Sequence, residues 1–256
     1  MILYSSMEVH KILFLGYGKE ETSLITFLQA QNFEVYHTKS RVTPEFVSSF
    51  DWVISFGYRY ILKAEHLQAV NCNAINLHIS YLPYNRGSHP NYWSFVDSTP
   101  IGVTIHQIDE GLDTGPIYIQ KELELDAAVH TFKSSYNILL DAIEELFKDN
   151  IHGILSKTLH PKKQEGVGTY HRSKDLPKEI LTWDINIKKY LEQQTMTDLE
   201  IIDAVEAVRT KNNKNWMDVL RVAFKHAPEE ARPILAEINK SDGEISRLLD
   251  RLANNG

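Results

Sequence analysis

Three side chains in the first half of the chain, Asn76, His78 and Asp113, are of types that together can carry out group transfer at a carbonyl carbon. A carboxamide and an imidazole can each donate a hydrogen bond to an oxygen on which negative charge develops. Losing one such donor typically costs ~10²–10³ in rate. A nearby carboxylate can accept the proton that an attacking amine must shed, an effect of about 10²–10⁴-fold. The same anion favours the charged form of His78. This chemistry needs no serine or cysteine nucleophile, and the single cysteine, Cys72, reads as a small core residue. Taken alone the signals are weak: Asn-x-His at a strand end is usually structural, and Asp113-Thr114-Gly115 is good turn sequence.

These residues gain meaning from the elements that must hold them. KILFLG (11–16) is a compact apolar run ending in glycine, as a buried parallel strand should be. Helical EETSLITFLQAQ follows, then FEVYH (33–37), a second helical stretch, DWVISFG (51–57), NAINLH (73–78) and GVTIHQI (102–108). The alternation predicts an α/β fold with a doubly wound, mostly parallel sheet and right-handed crossovers. Active sites of such sheets lie beyond the carboxyl ends of the strands. Asn76 and His78 close one strand, and Asp113 lies just past another. Farther on, Phe132, Tyr136, Leu139, Leu140, Ile143 and Phe147 repeat with helical spacing over about 127–149. Residues 151–182 read as irregular or hairpin structure punctuated by Gly153, Gly166 and Gly168. TDLE (197–200) and SDGE (241–244) read as two capping boxes, with Trp216, Leu220 and Phe224 marking a helix between them. The expected organisation is therefore a catalytic domain over 1–182, a linker over 183–196 and a small C-terminal helical module over 197–256.

At 256 residues, 43% hydrophobic and 24% charged, the chain can bury a sizeable core and has the composition of a soluble globular protein. A net charge of −7 argues against a surface built for nucleic acid. One cysteine permits neither an internal disulfide nor a cysteine metal cluster, consistent with the cytoplasm. The opening residues lack a signal-peptide pattern, Met7 is an alternative start, and no apolar run is long enough to span a membrane. His106 could tempt a zinc assignment, but without a cysteine cluster or a His-Glu-x-x-His helix it is better read as a core or supporting residue, and no metal is expected. Gly16-Tyr17-Gly18 is half a dinucleotide fingerprint. Glu21 stands where the third glycine belongs, so the pair is read as a tight strand-to-helix turn rather than an NAD site.

Asn76-x-His78-x-Ser80-x-Leu82-Pro83, Arg86-Gly87, Gly102-Val103-Thr104 and Asp113-Thr114-Gly115 occur in the order seen in the folate-dependent formyltransferases, and over roughly residues 10–180 the chain resembles that family. The resemblance implies formyl transfer from 10-formyltetrahydrofolate to a substrate amine, with Asn76, His78 and Asp113 as catalytic groups. It implies that two loops hold the pterin: Tyr60, Ile61 and Leu62, with Leu67 as an apolar wall, and Ile108, Asp109, Glu110 and Gly111. The stretch from Arg86 to Phe95 looks most like the nucleotide-sugar N-formyltransferases, which points to Ser80, Tyr81, Arg86, Gly87, Asn91 and Trp93 as acceptor contacts. Tyr170, Arg172 and Lys174 are candidates for the diphosphate or base. The implied acceptor is a nucleotide-linked amino-deoxysugar: a UDP-linked 4-amino-altrose derivative, or a dTDP- or GDP-linked 3- or 4-amino-dideoxyhexose. Formylation of methionyl-tRNA or of glycinamide ribonucleotide is the alternative, and an inactive scaffold with a partner-binding tail is a second one. The family also implies a homodimer.

Overall fold

The structure is a computed structural model and describes residues 10–177, 182–197, 200–204 and 225–254. The chain divides into two compact units, one ending at Ile187 and the other beginning at Lys188. The helix expected around Trp216 and the alternative start Met7 lie outside the described residues.

The first unit is built on strands β1 (Lys11–Gly16), β2 (Glu34–Thr38), β3 (Trp52–Phe56), β4 (Ala74–His78), β5 (Arg86–Gly87), β6 (Gly102–Gln107), β7 (Ile117–Glu122) and β8 (Tyr170–His171). Its helices are α1 (Leu24–Ala30), α2 (Pro44–Val47), α3 (Ala64–Ala69), α4 (Pro90–Val96) and α5 (Phe132–Leu155). Six strands form one sheet in the order β2-β1-β3-β4-β6-β7, and β5 pairs separately with β8. The first four strands of that sheet are parallel, whereas β6 runs antiparallel to β4, and β7 antiparallel to β6. The mostly parallel α/β sheet predicted from the alternation is what the chain forms.

Side chains along each strand alternate between two cores. On one face Ile12, Phe14, Ile54, Ile75, Leu77, Val103 and Ile105 pack with α1 and α5. On the other, Leu13, Leu15, Val53 and Ala74 pack with Val47 of α2 and Leu67 of α3. Ala74, Asn76 and His78 share this second face, so the apolar packing gives way to polar groups as β4 approaches its carboxyl end. Helix α5 begins only at Phe132, because Thr131 caps it and forms a capping box with Ser134. It continues through Gly153 to Leu155, since Ile151, Ile154 and Leu155 carry its buried stripe past the glycine. The expectation of irregular structure from 151 is corrected to that extent. Cys72 is another correction: it is exposed, in a left-handed turn after α3 whose amide bonds to Leu67 O at 2.8 Å.

At the start of the second unit, the stretch expected as a linker carries helix α6 (Ile187–Thr195). Thr197 and Glu200 form the expected capping box, with Thr197 N donating to Glu200 Oε2 at 2.7 Å. SDGE does not start a helix; it lies inside α7 (Pro228–Asn254). Glu244 is engaged by Lys189 (2.7 Å) instead of reaching back to a cap, and Leu248 is buried with Ile201. No helix among the described residues is long and apolar enough to cross a membrane.

Phe147 is fully buried in α5 against the sheet. Phe147→Ala is expected to lower the unfolding free energy by about 3–5 kcal/mol, measured by chemical denaturation.

Candidate functional site

Antiparallel pairing of β4 with β6 sets Asn76 opposite His106 and His78 opposite Thr104. Directly opposed residues point to one face of a sheet, so two histidines and an amide converge there. The loop after β6 then brings Asp113 over the same face in a left-handed conformation (φ 53°). Its Oδ1 accepts from Asn76 Nδ2 at 3.2 Å and lies 3.5 Å from His106 Nε2. Its Oδ2 accepts from the Gly87 amide at 2.9 Å and lies 3.7 Å from His78 Nδ1. Burial alone would push the Asp113 carboxyl up. The electrostatic pull of His78, the contact from His106 and the Gly87 N–H outweigh it and hold the group well below its usual range.

Supporting contacts fix both imidazoles. His78 Nε2 donates to Asn85 O at 3.0 Å, which turns Nδ1 toward Asp113. Asn85 is fully buried, and its amide donates to Ser94 and Thr99. His106 Nδ1 donates to Gln107 O at 2.8 Å, which turns Nε2 toward Asp113 Oδ1, with Asn76 Nδ2 3.3 Å away. The Asp113 loop is held from the other side by Gln164, whose Nε2 donates to Asp113 O and Gly115 O, both at 2.8 Å. Gln164 Oε1 in turn accepts from Arg86 Nε and Nη2. Two glycines are needed for this approach. A Cβ on Gly115 would sit 1.8 Å from Gln107 O, and Gly87 has φ +90° with the His171 carbonyl 2.3 Å from any Cβ.

A cavity of about 1330 Å³ contains Asn76, His78, His106 and Asp113. Of the expected pterin contacts, Tyr60, Ile61, Leu62, Ile108, Asp109 and Gly111 line it. Leu67 lies in the core behind, and Glu110 is outside the lining. Of the expected acceptor contacts, Gly87 and Asn91 line the cavity, though Asn91 spends its amide tying α4 to α5 through Phe132 O and Ser135. The others are placed elsewhere. Ser80 is buried and donates to Tyr84 O, Tyr81 packs at Gly102, Arg86 is taken up by Gln164, and Trp93 stacks on His171 at 4.0 Å. Arg172 is neutralised by Asp175 three residues on, and neither it nor Tyr170 nor Lys174 reaches the cavity.

Residues the motifs did not single out complete the walls. Tyr136 bonds Tyr17 hydroxyl to hydroxyl at 2.6 Å, and burial with that contact pushes its phenol up, keeping it protonated. His89, in a left-handed conformation, stacks on Trp183 at 5.8 Å, and burial disfavours its charge. Lys133 pairs with Asp184 at 3.4 Å. Helical spacing placed Tyr136 on α5 but could not say that it faces a cavity. The Gly16–Gly18 turn offers little to a phosphate, because Gly18 N is already bonded to Glu21 Oε2 at 2.9 Å.

Gln164→Leu removes the donor to two carbonyls and the acceptor for Arg86, so an unfolding free energy lower by about 1–3 kcal/mol is expected. For Asp113, whose carboxyl is depressed in the fold, the stability it contributes is present above the unfolded value of about 3.9 and lost as pH falls below it. In Asp113→Asn that share of the acid destabilisation should be absent in pH-dependent melting below about pH 4.

The family model described as formyl transferase matches residues 25–151. The dTDP-4-amino-4,6-dideoxyglucose formyltransferase of Mycobacterium tuberculosis is 33% identical over 145 residues, 56% of this chain and 59% of that protein. A methionyl-tRNA formyltransferase of Thermodesulfovibrio yellowstonii is 33% identical over 54% of this chain and 45% of its own length. The chain thus matches about half of the length of these curated relatives. Among solved structures, the formyltransferase PseJ from Anoxybacillus kamchatkensis, in complex with UDP-4,6-dideoxy-4-formamido-L-AltNAc and tetrahydrofolate, is 38% identical with a TM-score of 0.66. The match covers 70% of this chain and 96% of that one. With that coverage and identity, and with the matched segment carrying Asn76, His78 and Asp113, the chain belongs to the formyl transferase family.

Proposed function

We propose that this protein transfers a formyl group from 10-formyltetrahydrofolate to the amino group of a nucleotide-linked amino-deoxysugar. The observation that carries the proposal is the buried Asp113 carboxylate, held ionised beside Asn76 and His78 at the wall of a cavity large enough for two ligands. On one side, the apolar groups of Ile61, Leu62, Ile108 and Leu112 with the backbone of Gly57 and Gly111 suit a flat heterocycle read through main-chain donors and acceptors. The donor supplies an activated formyl carbon when bound there. Asn76 and His78 donate to the formyl oxygen as the acceptor nitrogen attacks. Asp113 then takes the proton that this nitrogen must lose as the new amide forms, directly or through one water, and that proton passes on to the donor nitrogen released as its bond to the formyl carbon breaks. His106 keeps Asp113 ionised, and no covalent enzyme intermediate is required.

On the acceptor side, Trp183 and His89 offer aromatic faces, and Lys133 offers one cation. The PseJ relative, solved with a UDP-linked formamido sugar, supports a UDP-linked 4-amino-altrose derivative as acceptor; dTDP- or GDP-linked amino-dideoxyhexoses are the competing sugars. A homodimer working in the cytoplasm goes with this proposal. Incubation with 10-formyltetrahydrofolate and a panel of UDP-, dTDP- and GDP-linked amino sugars should release tetrahydrofolate with one of them. Asp113→Ala should lower kcat by about 10²–10⁴-fold and Asn76→Ala by ~10²–10³-fold. Turnover only with methionyl-tRNA or glycinamide ribonucleotide, or undiminished turnover by the variants, would refute the assignment.

A further inference from the structure

The segment 85–88 around β5 is two-sided, and its backbone groups serve different neighbours on each side. Toward the reaction centre, Asn85 O accepts from His78 Nε2 at 3.0 Å and Gly87 N donates to Asp113 Oδ2 at 2.9 Å. Toward β8, Arg86 N donates to Thr169 O at 3.1 Å and Ser88 N to His171 O at 2.9 Å. These bonds accompany the parallel register of Arg86 with Tyr170 and of Gly87 with His171. The backbone that meets His78 and Asp113 thus has β8 directly behind it.

Two side chains, Thr169 and His171, hold that backing segment. Thr169 Oγ1 accepts from Asn85 N at 2.7 Å and donates to Asn85 Oδ1 at 3.1 Å. Asn85 Nδ2 donates to Ser94 Oγ at 3.0 Å and to Thr99 Oγ1 at 2.7 Å. Each polar atom of Asn85 is therefore bound, on a fully buried residue in a left-handed conformation (φ 57°). Turning its carbonyl away from His78 would break several of these bonds at once. At the other end of β8, His171 Nε2 donates to Asp97 Oδ2 at 2.8 Å, and the ring stacks on Trp93 at 4.0 Å with the planes 6° apart. Trp93 belongs to α4 and Asp97 closes it, so β8 is tied to the helix that follows β5.

Among the described residues that line the cavity, none comes from 169–172, so these contacts are with the protein and not with a ligand. We propose that Thr169 and His171 are positioning residues for the reaction: by anchoring β8 against β5 they set both the Asn85 carbonyl that orients His78 and the Gly87 N–H that holds Asp113. This rests on the reading of Asn76, His78 and Asp113 as a formyl-transfer centre. Loosening β8 moves both backbone groups together, and a misplacement of ~1 Å can cost ~10²-fold in rate.

The test compares the full chain with Thr169→Val, Thr169→Ser and His171→Phe. Valine keeps the shape of threonine without the hydroxyl, serine keeps the hydroxyl, and phenylalanine keeps a ring on Trp93 without the Asp97 contact. Melting curves check that each variant folds. Two readouts are taken: steady-state formyl transfer, and spectra of ¹⁵N-labelled histidine and glycine recorded without substrates. Thr169→Val and His171→Phe should lower kcat about ten- to hundredfold while KM for donor and acceptor changes less than about threefold. Thr169→Ser should bring kcat back to within about threefold of the unaltered chain. The Gly87 amide and His78 Nε2 signals should move in Thr169→Val and return in Thr169→Ser, with the signal of Gly153 on α5 unmoved. Should Thr169→Val not fold, His171→Phe carries the same comparison. Unchanged kcat in the folded variants, unmoved Gly87 and His78 signals, or a loss of activity that serine does not restore overturns the proposal. If the unaltered chain formylates no acceptor, the formyl-transfer reading fails, and the spectra alone decide whether β8 holds the two groups.

Discussion

The site depends on keeping one carboxylate charged where water is scarce. Asp113 is about one-tenth exposed, and an ion in that position must be compensated by partners already in place. Four are present, drawn from three stretches of chain: the Asn76 amide and His78 from β4, His106 from β6, and the Gly87 N–H from β5. Losing any of them leaves the others to carry a buried charge. The surrounding structure can be understood as the scaffold that this requirement imposes. Asn85 is buried to hold His78, Gln164 clamps the Asp113 loop, and Gly87 and Gly115 are glycines because backbone must come within reach of backbone.

The antiparallel strand inside an otherwise parallel sheet has a specific consequence. In a fully parallel sheet, neighbouring strands would offer their carboxyl-end loops side by side. Here β6 runs back along β4, so a residue within a strand, His106, stands opposite Asn76. A strand residue is held by ladder hydrogen bonds on both sides, which fixes an imidazole more firmly than a loop can. The loop from Ile108 to Pro116 then leaves and rejoins the sheet edge, with Ile108 N bonded to Ala74 O and Gln107 N to Pro116 O. Asp113 is thereby carried over the face without breaking the ladder.

Much of the fold was legible because the strands are apolar runs bounded by turn residues, and burial on both faces leaves little else for KILFLG or WVISF to do. Asn76, His78 and Asp113 were legible as a set from the order of their motifs, the first two in β4 and the third in the loop after β6. What escaped reading has a common cause. Gln164 acts across 49 and 51 residues, and Asn85 supports His78 from inside a loop, so no local pattern marks either. The register that sets His106 against Asn76 is likewise a property of the pairing and not of β6 alone. The family resemblance puts Arg86 and Trp93, and residue type puts Arg172, among the ligand contacts, yet each has a protein partner. For Arg172 the partner, Asp175, was visible at i+3 spacing. Cys72 and the SDGE segment show local propensity yielding to tertiary demand, one turned out by a helix cap and the other absorbed into α7.

The distribution of charge around the cavity bears on what the acceptor is. Arg59 stands on the pterin side, and among the described residues the acceptor side offers Lys133 alone as a lysine or arginine, already paired with Asp184. A polynucleotide acceptor is held chiefly by neutralising many phosphates, and a chain of net charge −7 with one paired cation on that wall is poorly equipped for it. A nucleotide sugar makes smaller demands: two phosphates, one base to stack, and a sugar whose amine must reach Asp113. Trp183 and the uncharged His89 can stack a base. The Tyr17–Tyr136 hydroxyl pair gives a sugar hydroxyl something to bond without adding charge. Under the proposed function, recognition of the acceptor falls to shape and stacking, with electrostatics concentrated on the one carboxylate proposed to take a proton.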